Sequence, residues 1–127
     1  MACATTGIIT GTAVEDAGVI LLARVVGNDG TPITQASLTA ITYSVYDITN
    51  SVSLGTGTFT ISSVVYDTLQ TGELWDVDST GYNFKAAIPA SVMTPGGSRC
   101  QIDVKFDPVT GENFIQIWKF TILNTYI

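Results

Sequence analysis

Apolar and polar residues alternate with a period of two along most of this 127-residue chain, which is the pattern of β-strands that bury one face. The alternation is clearest over residues 99–106, where four side chains are predicted to point inward: Cys100, Ile102, Val104 and Phe106. The closing strand, residues 114–123, is apolar on both faces. The other predicted strands are residues 19–26, 37–46, 56–61, 63–66 and 82–88.

Clusters of Gly, Pro, Asn and Asp separate these strands and predict turns. They occupy residues 27–32, 47–51, 89–97 and 107–112. The alternation also breaks over residues 67–75, which begin at Asp67, a residue type that favours the N-cap position. We expect one helical or 3₁₀ turn there.

About seven short strands with turns every 8–12 residues are typical of an antiparallel β-sandwich of the immunoglobulin-like type. No long amphipathic helical pattern accompanies them, which argues against α/β and α+β folds. The sequence therefore predicts an all-β fold, with one sandwich domain over residues 18–127 and an extended N-terminal arm over residues 1–17. The arm is rich in Thr, Gly and Ala, and a short strand is expected in it at Ile8 and Ile9.

Composition and charge exclude several functions. Only 13% of the residues are charged, against about 25% in an ordinary soluble domain, and 46% are hydrophobic. Five Lys and Arg against eleven Asp and Glu give a net charge of −6, so we expect no basic patch for nucleic acid. The chain has no His, which excludes mechanisms that need a His base or ligand. The low charge leaves a surface rich in Thr, Ser and apolar groups.

Nothing in the sequence predicts secretion or a membrane. There is no signal-peptide pattern and no apolar run of about 18 residues, so we expect synthesis in a cytoplasm. Cys3 in the arm and Cys100 in a strand are not spaced like a disulfide framework, and both are expected to be reduced thiols.

An acidic loop is the main candidate for ligand chemistry. Glu73, Asp76 and Asp78 surround Trp75 in the sequence. Their carboxylates are ligands of the type that binds Ca²⁺, although their spacing does not fit an EF-hand, and the indole ring of Trp75 is of the type that stacks on a sugar. A solvated loop, with Trp75 as a plug over the edge of the sandwich, is the simpler interpretation. We keep the four residues as a candidate ligand or partner loop and expect no metal and no cofactor.

Catalysis is not expected. A hydroxyl nucleophile needs a base within hydrogen-bond reach, and without His the remaining candidates are Lys85, Lys105 and Lys119. All three lie in predicted strands outside any Ser-x-x-Lys pattern. Eleven acids in a small sandwich will form some carboxylate pair by chance, so such a pair does not indicate a glycosidase. We predict no catalytic residues.

The two ends of the chain are expected to make different contacts. Residues 1–17 cannot form a core of their own, so Ile8, Ile9 and Val14 are predicted to pack on a neighbouring subunit. Residues 120–127 stay apolar to the last residue and are predicted to dock on their own sheet.

Residues 78–84, Asp-Ser-Thr-Gly-Tyr-Asn-Phe, resemble the immunoglobulin run Asp-Ser-Ala-x-Tyr-x-Cys at the turn into strand F. They lack the Cys, which argues against an antibody-type domain. Two long strands still follow, so residues 82–88 are predicted to be strand E, with strand F beginning at Arg99 and strand G at Phe114.

A longer series of segments carries a second resemblance. In chain order they are residues 29–34 (Asp-Gly-Thr-Pro-Ile-Thr), 37–47, 64–70, Trp75, and residues 81–84, 88–91 and 106–111 (Phe-Asp-Pro-Val-Thr-Gly). This order is similar to small β-sandwich proteins encoded among tailed-bacteriophage structural genes, and to the sandwich domain of some phage baseplate proteins. The resemblance covers about residues 19–123, implies a virion component and transfers no catalytic or ligand residue.

The resemblance thus implies a structural virion protein made in the host cytoplasm. The lone sandwich, the arm and the low charge favour a capsid cement or decoration protein that binds the major capsid protein and self-associates, with a trimer favoured. A head–tail connector, tail or baseplate protein is the alternative within this class. A carbohydrate-binding or adhesion module that uses Trp75 is the alternative from another class. No direct contact with nucleic acid or membrane is expected.

Overall fold

The computed structural model describes residues 7–72 and 74–126 of the chain. In this part of the chain there are eight strands: β1 (Ile8–Val14), β2 (Val19–Ala23), β3 (Leu38–Asp47), β4 (Val52–Phe59), β5 (Val65–Gln70), β6 (Tyr82–Ile88), β7 (Arg99–Pro108) and β8 (Phe114–Leu123). The large sheet has the order β1-β8-β7-β3-β4, and the small sheet has the order β2-β6-β5. The two sheets pack together as an all-β sandwich.

Turns, loops and single helical turns join the strands, and most strand pairs are antiparallel. The helical elements of the described residues are single turns at Gln35–Ser37, α1 (Ile61–Val64) and Ala90–Val92. Within those residues no helix has the length and the apolar character that a membrane crossing requires. β1 and β8 form a parallel pair, whereas the other pairs are antiparallel.

The core lies between the sheets, where Phe84 of the small sheet packs against aromatic side chains of the large sheet. Its side chain is fully buried, and its ring lies 5.4 Å from the ring of Phe106 on β7 and 5.9 Å from that of Trp118 on β8. The inward set predicted for β7 is confirmed, since all four side chains are fully buried: Cys100, Ile102, Val104 and Phe106.

The limits of four strands agree closely with the predicted ranges. β6 and β8 begin and end at the predicted residues, and the limits of β3 and β7 agree within two residues. β2 ends at Ala23, earlier than predicted, because Val25 binds the Asn83 side chain of β6 and the backbone N–H of Ile33 instead of continuing the ladder with β6. The Val25 N–H donates to Asn83 Oδ1 over 2.7 Å, and the Val25 carbonyl accepts from Asn83 Nδ2 over 2.9 Å.

The segment between β3 and β6 departs from the prediction. One strand, β4, covers residues 52–59, and the helical turn lies at α1 instead of within residues 67–75. The prediction of a turn that begins at Asp67 is wrong, since Asp67 lies in β5 and its Oδ1 accepts the backbone N–H of Gln35 over 2.7 Å. Val64 and Val65 are both buried. Adjacent residues of one strand point to opposite faces, so the helical turn is what brings both inward.

β1 is the largest departure, because the expected arm is a strand of the large sheet in residues 8–14. It pairs along its whole length with β8, from Ile8 opposite Ile117 to Val14 opposite Leu123. Residues 1–6 lie outside the described residues, so contact between the arm and a neighbouring subunit stays a prediction.

Small side chains explain why the sequence pattern does not reveal β1 as a full strand. Its inward residues are Ile9, Gly11 and Ala13, and Ile9 and Ala13 pack against the core. A Cβ atom added at Gly11 would lie 3.2 Å from the ring of Phe120, so the glycine allows close approach. Residues this small give a weak alternation, and the strand depends on backbone pairing with its neighbour.

The side chain of Glu15, in the turn after β1, binds the C-terminal tail. Its Oε1 accepts the backbone N–H of Thr125 over 2.9 Å, and its Oε2 accepts that of Gly96 over 2.8 Å. These hydrogen bonds lower the pKa of Glu15, and the bond from the Thr125 backbone has the largest effect. The tail thus docks on its own sheet through Leu123 at the end of β8 and through Thr125, while the side chain of Tyr126 is 92% exposed.

Candidate functional site

The loop between β5 and β6 holds the predicted residues Trp75, Asp76 and Asp78, while Glu73 lies outside the described residues. Asp78 organises this loop. Its Oδ1 accepts the backbone N–H groups of Thr80 over 3.0 Å and of Gly81 over 3.1 Å. The same oxygen accepts the indole N–H of Trp75 over 3.1 Å.

Arg24, which follows β2, adds a cation to this network. Its Nη1 lies 2.9 Å from Asp78 Oδ2 and donates to the carbonyl of Gly81 over 3.1 Å. The backbone N–H of Gly81 does most to lower the pKa of Asp78 to about 2, and the Trp75 and Arg24 donors add to it. Hydrogen-bond donors of the protein therefore already bind both carboxylate oxygens of Asp78. Within the described residues, no group of three His, Cys, Asp or Glu side chains could hold a metal ion.

Trp75 lies against other aromatic rings at the edge of the small sheet. Its ring centre lies 5.7 Å from that of Tyr82, which in turn lies 5.9 Å from that of Tyr66. The neighbouring side chains point into solvent, with Leu74 58% exposed and Val77 70% exposed. The loop therefore presents apolar groups beside the exposed Asp76.

The Asp78 network predicts an acid-sensitive contribution to stability. Because the folded pKa of about 2 lies below the ordinary value of 3.8, the charged Asp78 stabilises the fold above about pH 4, and this stabilisation is lost as the pH falls towards 2. Asp78→Asn should therefore lower the Tm at pH 7, and its difference from wild type should shrink at pH 2.5.

Thermal unfolding followed by circular dichroism between pH 2 and pH 7 measures this difference. Asp76→Asn, a change on the same loop at an exposed side chain, is the matched control and should melt like wild type throughout. A difference for Asp78→Asn that is equally large at pH 2.5 and pH 7 would contradict the assignment.

The cysteine within the described residues is a core residue. Cys100 is fully buried and is not in a disulfide. Burial raises the pKa of its thiol to about 11, and the negative charge of Asp47 makes a smaller contribution in the same direction. A thiol with this pKa is not a nucleophile at neutral pH. Cys3 lies outside the described residues.

A cleft of about 660 Å³ opens at one end of the sandwich, between the segment after β2 and the turn from β7 to β8. Its apolar lining includes Pro32, Ile33, Leu38, Val109 and Phe114. Trp75, Asp76 and Asp78 do not line it, so the predicted loop and this cleft are separate features.

The outward side of the large sheet, which we call the large-sheet face, is a second candidate site. Hydroxyl and apolar side chains dominate it. Its apolar members include Ile8, which lies opposite Ile117, and Ile115. Ile8 is 52% exposed, Ile115 45% and Leu123 50%. Its hydroxyl members are Thr10, Thr12, Thr42, Ser44, Ser53, Thr56, Thr58 and Thr121.

Charged groups on the large-sheet face lie mainly on β7. Four outward side chains of that strand are charged: Arg99, Asp103, Lys105 and Asp107. The fifth charged residue of the face, Lys119, lies on β8. The face thus carries three of the five cationic residues and two of the ten acidic residues within the described part of the chain. Lys105 Nζ lies 3.7 Å from Asp107 Oδ1, and its side chain is 47% exposed.

The predicted partner residues of the arm divide between two environments. Ile8 and Val14 lie on the large-sheet face, whereas Ile9 points inward and packs against the core. Sequence reasoning missed Arg24, which is 54 residues from Asp78 in the chain. It also did not assign Ile115 and Ile117 to a site, although their place on the second apolar side of β8 was the available signal.

No family model, no curated protein and no solved structure matches this chain.

Proposed function

We propose that this chain is a structural protein of a tailed-bacteriophage virion, a cement or decoration protein that binds the major capsid protein. The large-sheet face is the proposed contact surface. The observation that carries the proposal is the composition of this face, where hydroxyl and apolar side chains outnumber charged ones although the side chains are exposed. Such a surface suits permanent burial against a neighbour.

The size of the large-sheet face supports this role. Strands that rise about 3.3 Å per residue and lie about 4.8 Å apart give the five strands an area of about 700 Å². Stable protein interfaces bury about 600–1,000 Å² on each partner. One such face is therefore large enough for a specific contact, and many copies on a shell would add their contacts.

We further propose that the sandwich is immunoglobulin-like. The order β2-β6-β5 matches strands B, E and D, and the order β8-β7-β3-β4 matches strands G, F, C and C′. The letters E, F and G then fall on the strands to which the sequence assigns them. β1 lies beside the last strand instead of beside β2.

A capsid-binding experiment tests the proposed role. Purified protein should bind phage particles that lack it and raise the temperature at which they release DNA. Thr56→Arg puts a large cation on an exposed position of the large-sheet face and should abolish both effects. Ala87→Arg, at an exposed position on the outward side of the small sheet, is the matched control and should act like wild type.

The copy number on the particle separates the two roles within the class. A cement protein is present at one copy for every few capsid subunits, whereas a connector or baseplate protein forms a single ring. Particles that bind no protein, or that bind Thr56→Arg as well as wild type, would overturn the proposed contact surface.

A further inference from the structure

The cleft at one end of the sandwich is an apolar surface that the proposed capsid contact does not use. Three of its lining side chains, Ile33, Leu38 and Phe114, are at most 6% exposed, whereas Val109 at its mouth is 62% exposed. None of the residues named above for the large-sheet face lines it. A ligand in this cleft would therefore leave the large-sheet face free.

Hydrogen bonds join the two walls of the cleft. Asn28 Nδ2, in the segment after β2, donates to the carbonyl of Glu112, in the turn from β7 to β8, over 2.7 Å. The backbone N–H of Val109 donates to the carbonyl of Ser37 over 2.9 Å. The volume of about 660 Å³ lies within the range of about 300–1,000 Å³ that is typical of ligand sites. The cleft is therefore formed before a ligand arrives, which reduces the ordering cost of binding.

Charge selects the ligand. Asp29 and Glu112 are the charged residues among those that line the cleft, and both are exposed. Asn28 directly precedes Asp29 and binds the backbone of Glu112, so the two acidic residues lie at the same edge of the cleft. Neither forms an ion pair with any residue that the structure describes. A cleft edge with charges of one sign attracts a ligand of the opposite sign.

The hydrogen bonds of Asp29 leave its charge uncompensated. Its Oδ1 accepts the backbone N–H of Thr31 over 3.1 Å and the Thr31 hydroxyl over 2.8 Å. These bonds lower the pKa of Asp29, and the bond from the Thr31 backbone has the largest effect. Both donors are neutral groups, so the carboxylate is anionic at neutral pH and lacks only a cation.

We propose that this cleft binds an extended peptide segment of a partner protein, in which a Lys or Arg side chain lies between apolar residues. The apolar side chains pack against the buried lining residues, and the cation lies between Asp29 and Glu112. The lining hydroxyl groups of Thr31 and Thr110 suit the amide groups of a peptide. A hydrocarbon ligand would take water from these polar groups without replacing its hydrogen bonds.

Chemical-shift titration of the isotope-labelled full-length chain tests the proposal. The probe is the capped peptide acetyl-Leu-Arg-Leu-amide, and two comparison peptides carry Gln or Glu in place of Arg. The Arg peptide should cause saturable shifts in residues 27–38 and 109–114. It should bind about fivefold more tightly than the Gln peptide, since exposed ion pairs give a modest attraction. The Glu peptide should bind most weakly.

Variants of Glu112 test the role of charge. Glu112→Gln should weaken the preference for the Arg peptide over the Gln peptide, and Glu112→Lys should make the Glu peptide bind more tightly than the Arg peptide. Asp16→Asn is the matched control for Glu112→Gln. It removes one negative charge at the exposed turn after β1, at the far end of β8 from the cleft, and should bind all three peptides like wild type.

A second pair of variants separates this inference from the proposed function. Val109→Arg places a cation of the chain itself at the mouth of the cleft, so it should abolish binding of the Arg peptide and leave capsid binding unchanged. Thr56→Arg, on the large-sheet face, should show the opposite pattern. Thermal melts verify that each variant is folded.

Three results would overturn the proposal. The first is the absence of saturable shifts in the cleft residues with the Arg peptide. The second is equal affinity for the three peptides, which would remove the role of the two carboxylates. The third concerns propylguanidinium, which is the arginine side chain without a backbone. If it binds as tightly as the Arg peptide, the cleft takes a free organic cation and a peptide segment is excluded as its ligand.

Discussion

Replacing Phe84 by alanine should lower the free energy of unfolding by about 3–5 kcal/mol, the range for removal of a large aromatic ring from a packed core. The ring is fully buried and contacts both sheets, since Phe106, Trp118 and Phe59 all have ring centres within 6.1 Å of it. A domain of this size has a total stability of about 5–15 kcal/mol, so the variant is expected to lose a large part of it.

Urea unfolding followed by tryptophan fluorescence measures the loss. Leu123→Ala is a suitable comparison, because that side chain is 50% exposed on the large-sheet face and its removal should cost no more than about 0.5 kcal/mol. If Phe84→Ala and Leu123→Ala unfolded at the same urea concentration, the central position of Phe84 between the sheets would be wrong.

Replacing Asn83 by alanine should cost about 1–3 kcal/mol, because it leaves the buried backbone N–H of Val25 without a partner. The Asn83 amide oxygen accepts this N–H over 2.7 Å. The Val25 carbonyl loses the Asn83 Nδ2 donor at 2.9 Å but keeps the backbone N–H of Ile33 at 3.1 Å. Val25 and Asn83 are each 1% exposed, so water cannot replace the lost amide.

Asn113→Ala provides the control for Asn83→Ala, since Asn113 is exposed in the turn before β8 and should change stability by no more than about 0.5 kcal/mol. Hydrogen exchange adds a local measurement, because the Val25 amide should exchange with solvent much faster in the variant. Protection of that amide at the wild-type level would contradict the pairing of Val25 with the Asn83 side chain.

The sequence predicts this fold best where large apolar residues alternate with polar ones. The limits of β6 and the inward set of β7 follow from that period, because a strand with one buried face repeats every two residues. β8 is apolar on both faces, and its start follows instead from the turn predicted at residues 107–112. The two-residue period does not predict β1, since Gly11 and Ala13 carry too little apolar surface to mark an inward face.

Contacts between distant residues explain most of what the sequence could not predict. Asp78 and Arg24 are 54 residues apart, and only the pairing of β2 with β6 brings them together. Asn83 lies on the side of β6 opposite the core residues Phe84 and Ala86 in the alternation, yet it is buried because its amide completes the ladder beside Val25. The sequence placed Trp75 and its carboxylates on one loop, but the use of Asp78 as a hydrogen-bond acceptor depends on that distant arginine.

The parallel pairing of the first and last strands has a consequence for biosynthesis. Ile8 meets Ile117 across more than a hundred residues of chain, and a contact of such high sequence separation forms late in folding. During translation the small sheet and β3, β4 and β7 leave the ribosome before β8 does. A nascent chain therefore has no complete large-sheet face, and the surface proposed for assembly exists only once synthesis has passed Leu123.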